Sequence, residues 1–229
     1  MNRFYLLCGL LLAGLLLHQP VLGSAAERIT ILEDAMDVMT EINQIPEEGI
    51  PESLLRGAEA IAIVPRVVKA GFVVGGRRGK GVIAVRDSRG AWSRPSFITL
   101  TGGSVGFQAG VQSSDVILVF KSRRSVEDLV RGKFTLGGDA SVAAGPVGRE
   151  ARAATDLELK SEIYSYSRSR GLFAGVSLEG AALSIDHDAN EEVYGVGVTP
   201  RKIFAGTVDQ VPESIVDFQD HLEEQTAGL

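Results

Sequence analysis

The stretch Gly71–Val85, GFVVGGRRGKGVIAV, sets five glycines among three cations and two strand-like apolar runs. Glycines beside a lysine raise the question of a phosphate-cradling loop. A P-loop requires G-x-x-x-x-G-K-[ST] running into a helix. Here Val74 stands where the first glycine belongs, and Gly81 follows Lys80 where a hydroxyl must hold magnesium. The nucleotide reading therefore fails. FVVGG and GVIAV both read as strands, so RRGK between them is expected to be a hairpin tip. That tip would present Arg77, Arg78 and Lys80, with Lys69 at the near end of the hairpin. Arginine forks and a lysine point charge suit phosphate groups.

Outward from this stretch, strand signals continue on both sides. AIAIV, GFVVGG, GVIAVR, SFITL, GFQAGV and DVILVF are short β-rich segments separated by Gly, Pro, Ser and Asp. Glycines inside such segments suggest strong curvature, bulges or close backbone contact. Upstream, apolar Ile29, Leu32, Ala35, Met36, Met39 and Ile42 recur at helical spacing, predicting an amphipathic helix over 27–45 that ends before Pro46. Pro51 opens a short second helix in ESLLRGAEA. Ser125 is expected to cap the helix VEDLVRGK. After a Gly- and Ala-rich loop, EIYSYSRS and LFAGVSLEGAALSI resume alternation. Leu172–Leu178 is expected to be a buried strand with Tyr164 and Tyr166 near its neighbour. Pro212 opens a last amphipathic helix through Val216, Phe218 and Leu222. The expected class is α+β: a curved, mostly antiparallel β-sheet or barrel-like core with helices at both ends of the chain.

The N-terminus reads as a secretory signal over residues 1–26. Arg3 precedes the uncharged apolar run Phe4–Leu17, Pro20 breaks it, and small residues at Gly23, Ala25 and Ala26 offer cleavage sites. The run is short for a membrane span of about 20 residues. Export to the periplasm or the outside is expected, with residues 27–229 forming one domain. Removing the signal removes Cys8, the only cysteine, and leaves His187 and His221. No thiolate chemistry remains to the mature chain, and neither a metal site nor a cofactor is expected.

The net charge of −6 is unevenly spread. Residues 66–94 carry eight cations against Asp87 alone, whereas 27–65 and 186–229 are strongly acidic. Such a chain is a poor general nucleic-acid binder but fits a local anion-binding face. The alternative is that the basic block neutralises the acidic ends within the fold.

Two chemical motifs require weighing. GGSVG, Gly102–Gly106, satisfies G-x-S-x-G and makes Ser104 a candidate hydrolase nucleophile, with His187 or His221 as base. The elbow must feed a helix, whereas GFQAGV continues as strand. DHDANEE from Asp186 begins like a calcium loop, but Glu191 occupies the position that needs Gly and Gly197 the position of the bidentate Glu. A solvated acidic loop is expected there.

Six blocks together resemble the SYLF, or Ysc84-type, lipid-binding domain over about 50–204. They are IPESLLRGAEAIAIVP, KAGFVVGGRRGKGVIAVR, WSRPSFITLTGGSVGFQAG, GKFTLGGDASVAAGPVGR, YSYSRSRGLFAGVSLEGA and ANEEVYG. The resemblance implies a non-enzymatic domain; eukaryotic members bind phosphoinositides, and some bind or bundle actin. Bacterial exported members are similarly a bare domain behind a signal. One departure is the first helix, where Glu27, Glu33, Asp34, Asp37 and Glu41 stand against Arg28, a face that anionic lipid would repel. The expectation is peripheral binding of anionic phospholipid through Lys69, Arg77, Arg78 and Lys80. Next in line are Arg123, Arg124, Arg131 and Lys133. An envelope protein-interaction or structural module is the alternative, and a Ser104 hydrolase the third reading.

Overall fold

A computed structural model describes residues 21–43, 49–132, 134–147 and 160–227. The expected signal segment up to residue 20, the helix end at Pro46 and the candidate Lys133 lie outside them. Helix α1 spans Val21–Asn43 and α2 spans Glu52–Arg56. Two long strands follow, β1 Ala60–Val85 and β2 Ser96–Phe120. Then come α3 Arg123–Arg131, β3 Phe134–Thr135, β4 Val142–Ala144, β5 Ile163–Ser169, β6 Leu172–Gly175 and β7 Ala182–Ile185. The chain closes with α4 His187–Tyr194, α5 Pro200–Phe204 and α6 Glu213–Thr226. The seven strands form one sheet, antiparallel except for the parallel β4–β5 pair. This is the expected α+β class with helices at both ends.

The six short strand segments merge into β1 and β2, which pair antiparallel from Ala60↔Phe120 to Ile83↔Ser96 with bulges between Val64 and Val67 and between Gly71 and Val73. A straight strand of 26 residues would span about 85 Å. Instead β1 doubles back. A Cβ on Gly81 would lie 2.1 Å from the carbonyl oxygen of Ile63, and one on Gly79 2.7 Å from Val64. Nearer the bend, a Cβ on Gly75 would lie 2.2 Å from the carbonyl of Ala70. The two limbs of β1 therefore touch through positions where only hydrogen fits, and the glycines provide the close backbone contact that the sequence suggests.

This corrects the hairpin tip. Arg77, Arg78 and Lys80 are not at a turn; they pair with Gly102, Thr101 and Thr99 inside the ladder. The chain reverses between β1 and β2 at 86–95, where the Asp87 carboxylate accepts from the amides of Arg89 and Ala91 at 2.8 and 3.0 Å, and Gly90 takes φ +87°. Asp–Gly chemistry of this kind is the stronger turn signal. Trp92, buried after the turn, donates its indole N–H to Thr226 at 2.8 Å and stacks under the Arg86 guanidinium at 4.3 Å. Those contacts clasp α6 to the turn.

Alternation along the strands feeds two core layers. Ile61, Ile63, Val82, Ala84, Ile117 and Val119 face Leu32, Ala35 and Met39 of α1 and Ile215, Phe218 and Leu222 of α6. Ala62, Val64, Ile83, Ile98, Val116 and Leu118 form the second layer with Val126 and Leu129 of α3 and with Phe134. Burial on both faces explains the near-continuous apolar runs of the strands.

Three further local expectations change. Ser122, not Ser125, caps α3: its hydroxyl accepts from the Ser125 amide at 3.4 Å, while the buried Ser125 donates to Glu162. DHDANEE is a helix rather than a loop, because the Asp186 carboxylate caps it through the Ala189 amide at 3.0 Å. Leu172–Leu178 is not a buried strand. Only Leu172–Gly175 is extended, at an edge, with Leu172 77% exposed. The tyrosine neighbourhood holds, since Tyr166 pairs with Gly175 and stacks on Phe173 at 5.2 Å.

If the doubled-back limbs set the fold, Gly81→Val destabilises by about 3 kcal/mol or more in urea unfolding, through a forced backbone shift. Gly103→Ala, where an added Cβ meets nothing within 4 Å, stays within about 0.5 kcal/mol.

Candidate functional site

Strand alternation divides the four expected cations between the two faces of the sheet. Arg78 and Lys80 share the α1 face with Val82, while Arg77 and Lys69 share the opposite face with Ile83 and Val67. The sequence reading placed Arg77, Arg78 and Lys80 on one tip with Lys69 at the near end of the hairpin; the doubled strand separates the four into two pairs.

On the α1 face the cations meet carboxylates. Lys80 Nζ donates to Glu27 at 2.7 Å, Arg66 pairs with Asp34, and Arg168 of β5 pairs with Glu41. Glu27, Asp34 and Glu41 are seven residues apart, two helical turns each, so one stripe of α1 carries all three. Arg168 also binds the Asp115 carboxylate at 2.8 and 3.0 Å, and the Arg66 amide donates to the other oxygen of that group at 2.9 Å. The hydrogen bond from Lys80, aided by nearby Arg28, holds the Glu27 carboxyl below the ordinary value of 4.5. Arg28 itself is buried and reaches Glu192 of α4 at 3.2 Å. The acidic stripe that argued against membrane contact is thus an internal fastening. Arg78 is exposed at a groove of about 490 Å³ shared with Lys80, Asp186, His187 and Asp188.

On the other face lies a groove of about 320 Å³. Its floor is Val67, Lys69 and Arg77 of β1, Gln112, Ser114 and Val116 of β2, and Ser167 and Ser169 of β5; its wall is Val176, Ser177 and Leu178. Lys69 and Arg77 come together because β1 returns on itself. Gly102, opposite Arg77, admits Ala181 closely, since a Cβ there would stand 3.1 Å from Ala181 Cα. The wall is pinned by the Ser165 hydroxyl, which donates to the Val176 carbonyl at 2.6 Å. No carboxylate lines this groove among the described residues. Arg77 Nε is buried without a hydrogen-bond partner.

The reserve cations of α3 are engaged: Arg123 with Glu59 at 3.4 Å, Arg124 with Asp128 at 3.7 Å and Arg131 with Asp128 at 2.9 Å. Ser104 stands inside β2, its Cα opposite Gly75, with strand on both sides. The strand–turn–helix elbow that exposes a nucleophile is not formed there. His221 is held by Thr40 at 3.0 Å and the Met36 carbonyl at 3.1 Å.

A family model described as "Ysc84: Las17-binding protein actin regulator" matches residues 101–225. The chain belongs to the Ysc84 family. It is 41% identical over 169 residues to protein YSC84 of Saccharomyces cerevisiae, covering 72% of this chain and 36% of that protein. It is 41% identical over 167 residues to the SH3 domain-containing protein PJ696.02 of Schizosaccharomyces pombe, covering 72% and 39%. With the SH3 domain-containing YSC84-like protein 1 of Bos taurus it shares 34% over 198 residues, covering 84% and 58%. The chain thus spans well under two thirds of the length of these Ysc84 relatives. The family description speaks of binding and of actin regulation.

The Glu27–Lys80 pair generates a pH test. A carboxyl whose folded pKa is depressed stabilises the fold above its unfolded value and loses that contribution as pH falls through the folded value. Half exposed, the pair contributes no more than about 0.5 kcal/mol. The advantage of the parent over Glu27→Gln should be constant at neutral pH and vanish below 4.5, read by urea unfolding across pH.

Proposed function

We propose that this Ysc84-family chain is a non-enzymatic binding module that docks on anionic phospholipid with the cations of β1. The observation that carries the reading is that Lys69, Arg77 and Arg78 have no ion-pair partner among the described residues, in a chain whose 29 acidic side chains outnumber its 23 basic ones. In an acidic protein, cations left unneutralised on an ordered strand mark an anion-binding surface. Each cation near an anionic membrane contributes about 1 kcal/mol, so the pair on one face of the sheet supplies a weak, reversible, salt-sensitive attachment. Lys80, half-neutralised by Glu27, contributes least. Among the described residues no helix is long and apolar enough to cross a membrane, which agrees with attachment at the surface. The Arg3-led apolar run supports export, and with it a periplasmic or secreted setting in which an envelope phospholipid is the anion at hand.

A second reading follows from the relatives named as Las17-binding proteins: a protein partner with an acidic surface takes the place of lipid. Vesicle sedimentation separates the two. The purified chain should sediment with phosphatidylglycerol vesicles, not with phosphatidylcholine vesicles, and should dissociate as salt rises. The combined variant Lys69→Gln, Arg77→Gln, Arg78→Gln should lose this binding while its thermal midpoint stays near that of the parent. Equal sedimentation with both vesicle types at low salt removes the lipid reading and leaves the protein partner.

A further inference from the structure

The groove between β1, β2 and β5 is more than one half of a diffuse cationic surface. Lys69 brings an ammonium and Arg77 a guanidinium whose buried Nε has no partner, and the hydroxyls of Ser114, Ser167 and Ser177 line the same space. A point charge, a planar fork and several hydroxyl donors are a set that the oxygens of a phosphate group satisfy. A buried unpaired donor is expensive, and a ligand that accepts from it removes that cost. The volume, about 320 Å³, is at the small end of ligand sites, enough for a polar headgroup and too small for acyl chains.

The edge of the groove says which source the phosphate has. Leu172 pairs with Ser169, so its side chain shares the groove face, and it is 77% exposed. Arg170, next in the β5–β6 turn at φ +52°, belongs instead to the cavity of Asp34, Asp37, Glu41 and Asp115 on the α1 side. A projecting leucine paired with a residue that lines an anion groove matches the boundary between headgroups and acyl chains. The other face, where α1 spends its carboxylates on Lys80, Arg66 and Arg168, offers no such arrangement.

We propose that this groove is a discrete phospholipid-headgroup site, in which Lys69 and Arg77 take one phosphate monoanion while Leu172 enters the acyl boundary, so that the protein docks with the sheet face opposite α1 toward the membrane. The proposal rests on the lipid-binding reading above and adds to it a place, a stoichiometry and an orientation.

The test has two arms, with the full chain in both. In the first, sn-glycerol 3-phosphate is titrated and the amide shifts of Ser167 and Ser177 are followed. Saturable shifts are expected, weakened about tenfold by Lys69→Gln or Arg77→Gln, the loss of one charge-assisted contact, and unchanged by Arg78→Gln. In the second, phosphatidylglycerol vesicles replace the soluble probe. Lys69→Gln, Arg77→Gln and Leu172→Ser should each weaken vesicle binding, while Leu172→Ser leaves glycerol phosphate binding intact. Lys69 is exposed, so its variant serves if Arg77→Gln fails to fold. If vesicles bind the parent but Lys69→Gln and Leu172→Ser bind equally well, the groove is overturned and the broader lipid reading survives. If no vesicle binds, both fall. Glycerol phosphate binding without vesicle binding likewise overturns the membrane site.

Discussion

The contact between the two limbs of β1 at Gly79 and Gly81 governs the rest of the structure. With no Cβ there, the carbonyl of Ile63 and the side chains of Val64 and Val67 come against the returning limb. The hairpin of β1 and β2 consequently folds over instead of projecting as a long ribbon. Its outer segments then have free edges near one another, on which β7 pairs along Ile98–Thr101 and β5 along Asp115–Phe120. Both faces of the curled sheet are covered, one by α1 and α6 and the other by α3 and the β3 region. Interior close packing of this kind tolerates no added methyl group at the crossing.

The same curl sorts the charges. Cations that are neighbours in sequence alternate between faces, and cations eight residues apart, Lys69 and Arg77, meet in one groove. On the face toward α1 the stripe of Glu27, Asp34 and Glu41 takes up Lys80, Arg66 and Arg168 but not Arg78. The acidic helix neutralises part of the basic block, Arg66 and Lys80, and leaves Lys69, Arg77 and Arg78 without an ion pair among the described residues. A helix so fastened, with Leu32, Ala35 and Met39 buried beneath it, is a structural element of the domain.

Membership of the Ysc84 family joins this chain to longer proteins, of which it spans 36% and 39% in the two yeast relatives. The family model matches residues 101–225, from within β2 to α6. A groove formed by backbone reversal, rather than by a loop, is available to any chain that preserves the glycines of the crossing. Its ligand chemistry then depends on the few side chains that line it.

The sequence by itself determined the helices at the two ends, because three- and four-residue apolar spacing and the prolines at 51 and 212 are local signals. It determined the β character of the middle, and the family, through six blocks in order. The heptad spacing of Glu27, Asp34 and Glu41 was also legible, although nothing local names Lys80, Arg66 and Arg168 as their partners. Two strand runs joined by RRGK looked like a hairpin because glycine is the usual signature of a turn. Glycine is equally the signature of close backbone approach, and only the tertiary approach of the Ile63 carbonyl to Gly81 distinguishes the two. The division of Lys69 and Arg77 from Arg78 and Lys80 follows from that bend and from the register with β2. Both are set by contacts between residues far apart in the chain, which is why no window of sequence contains them.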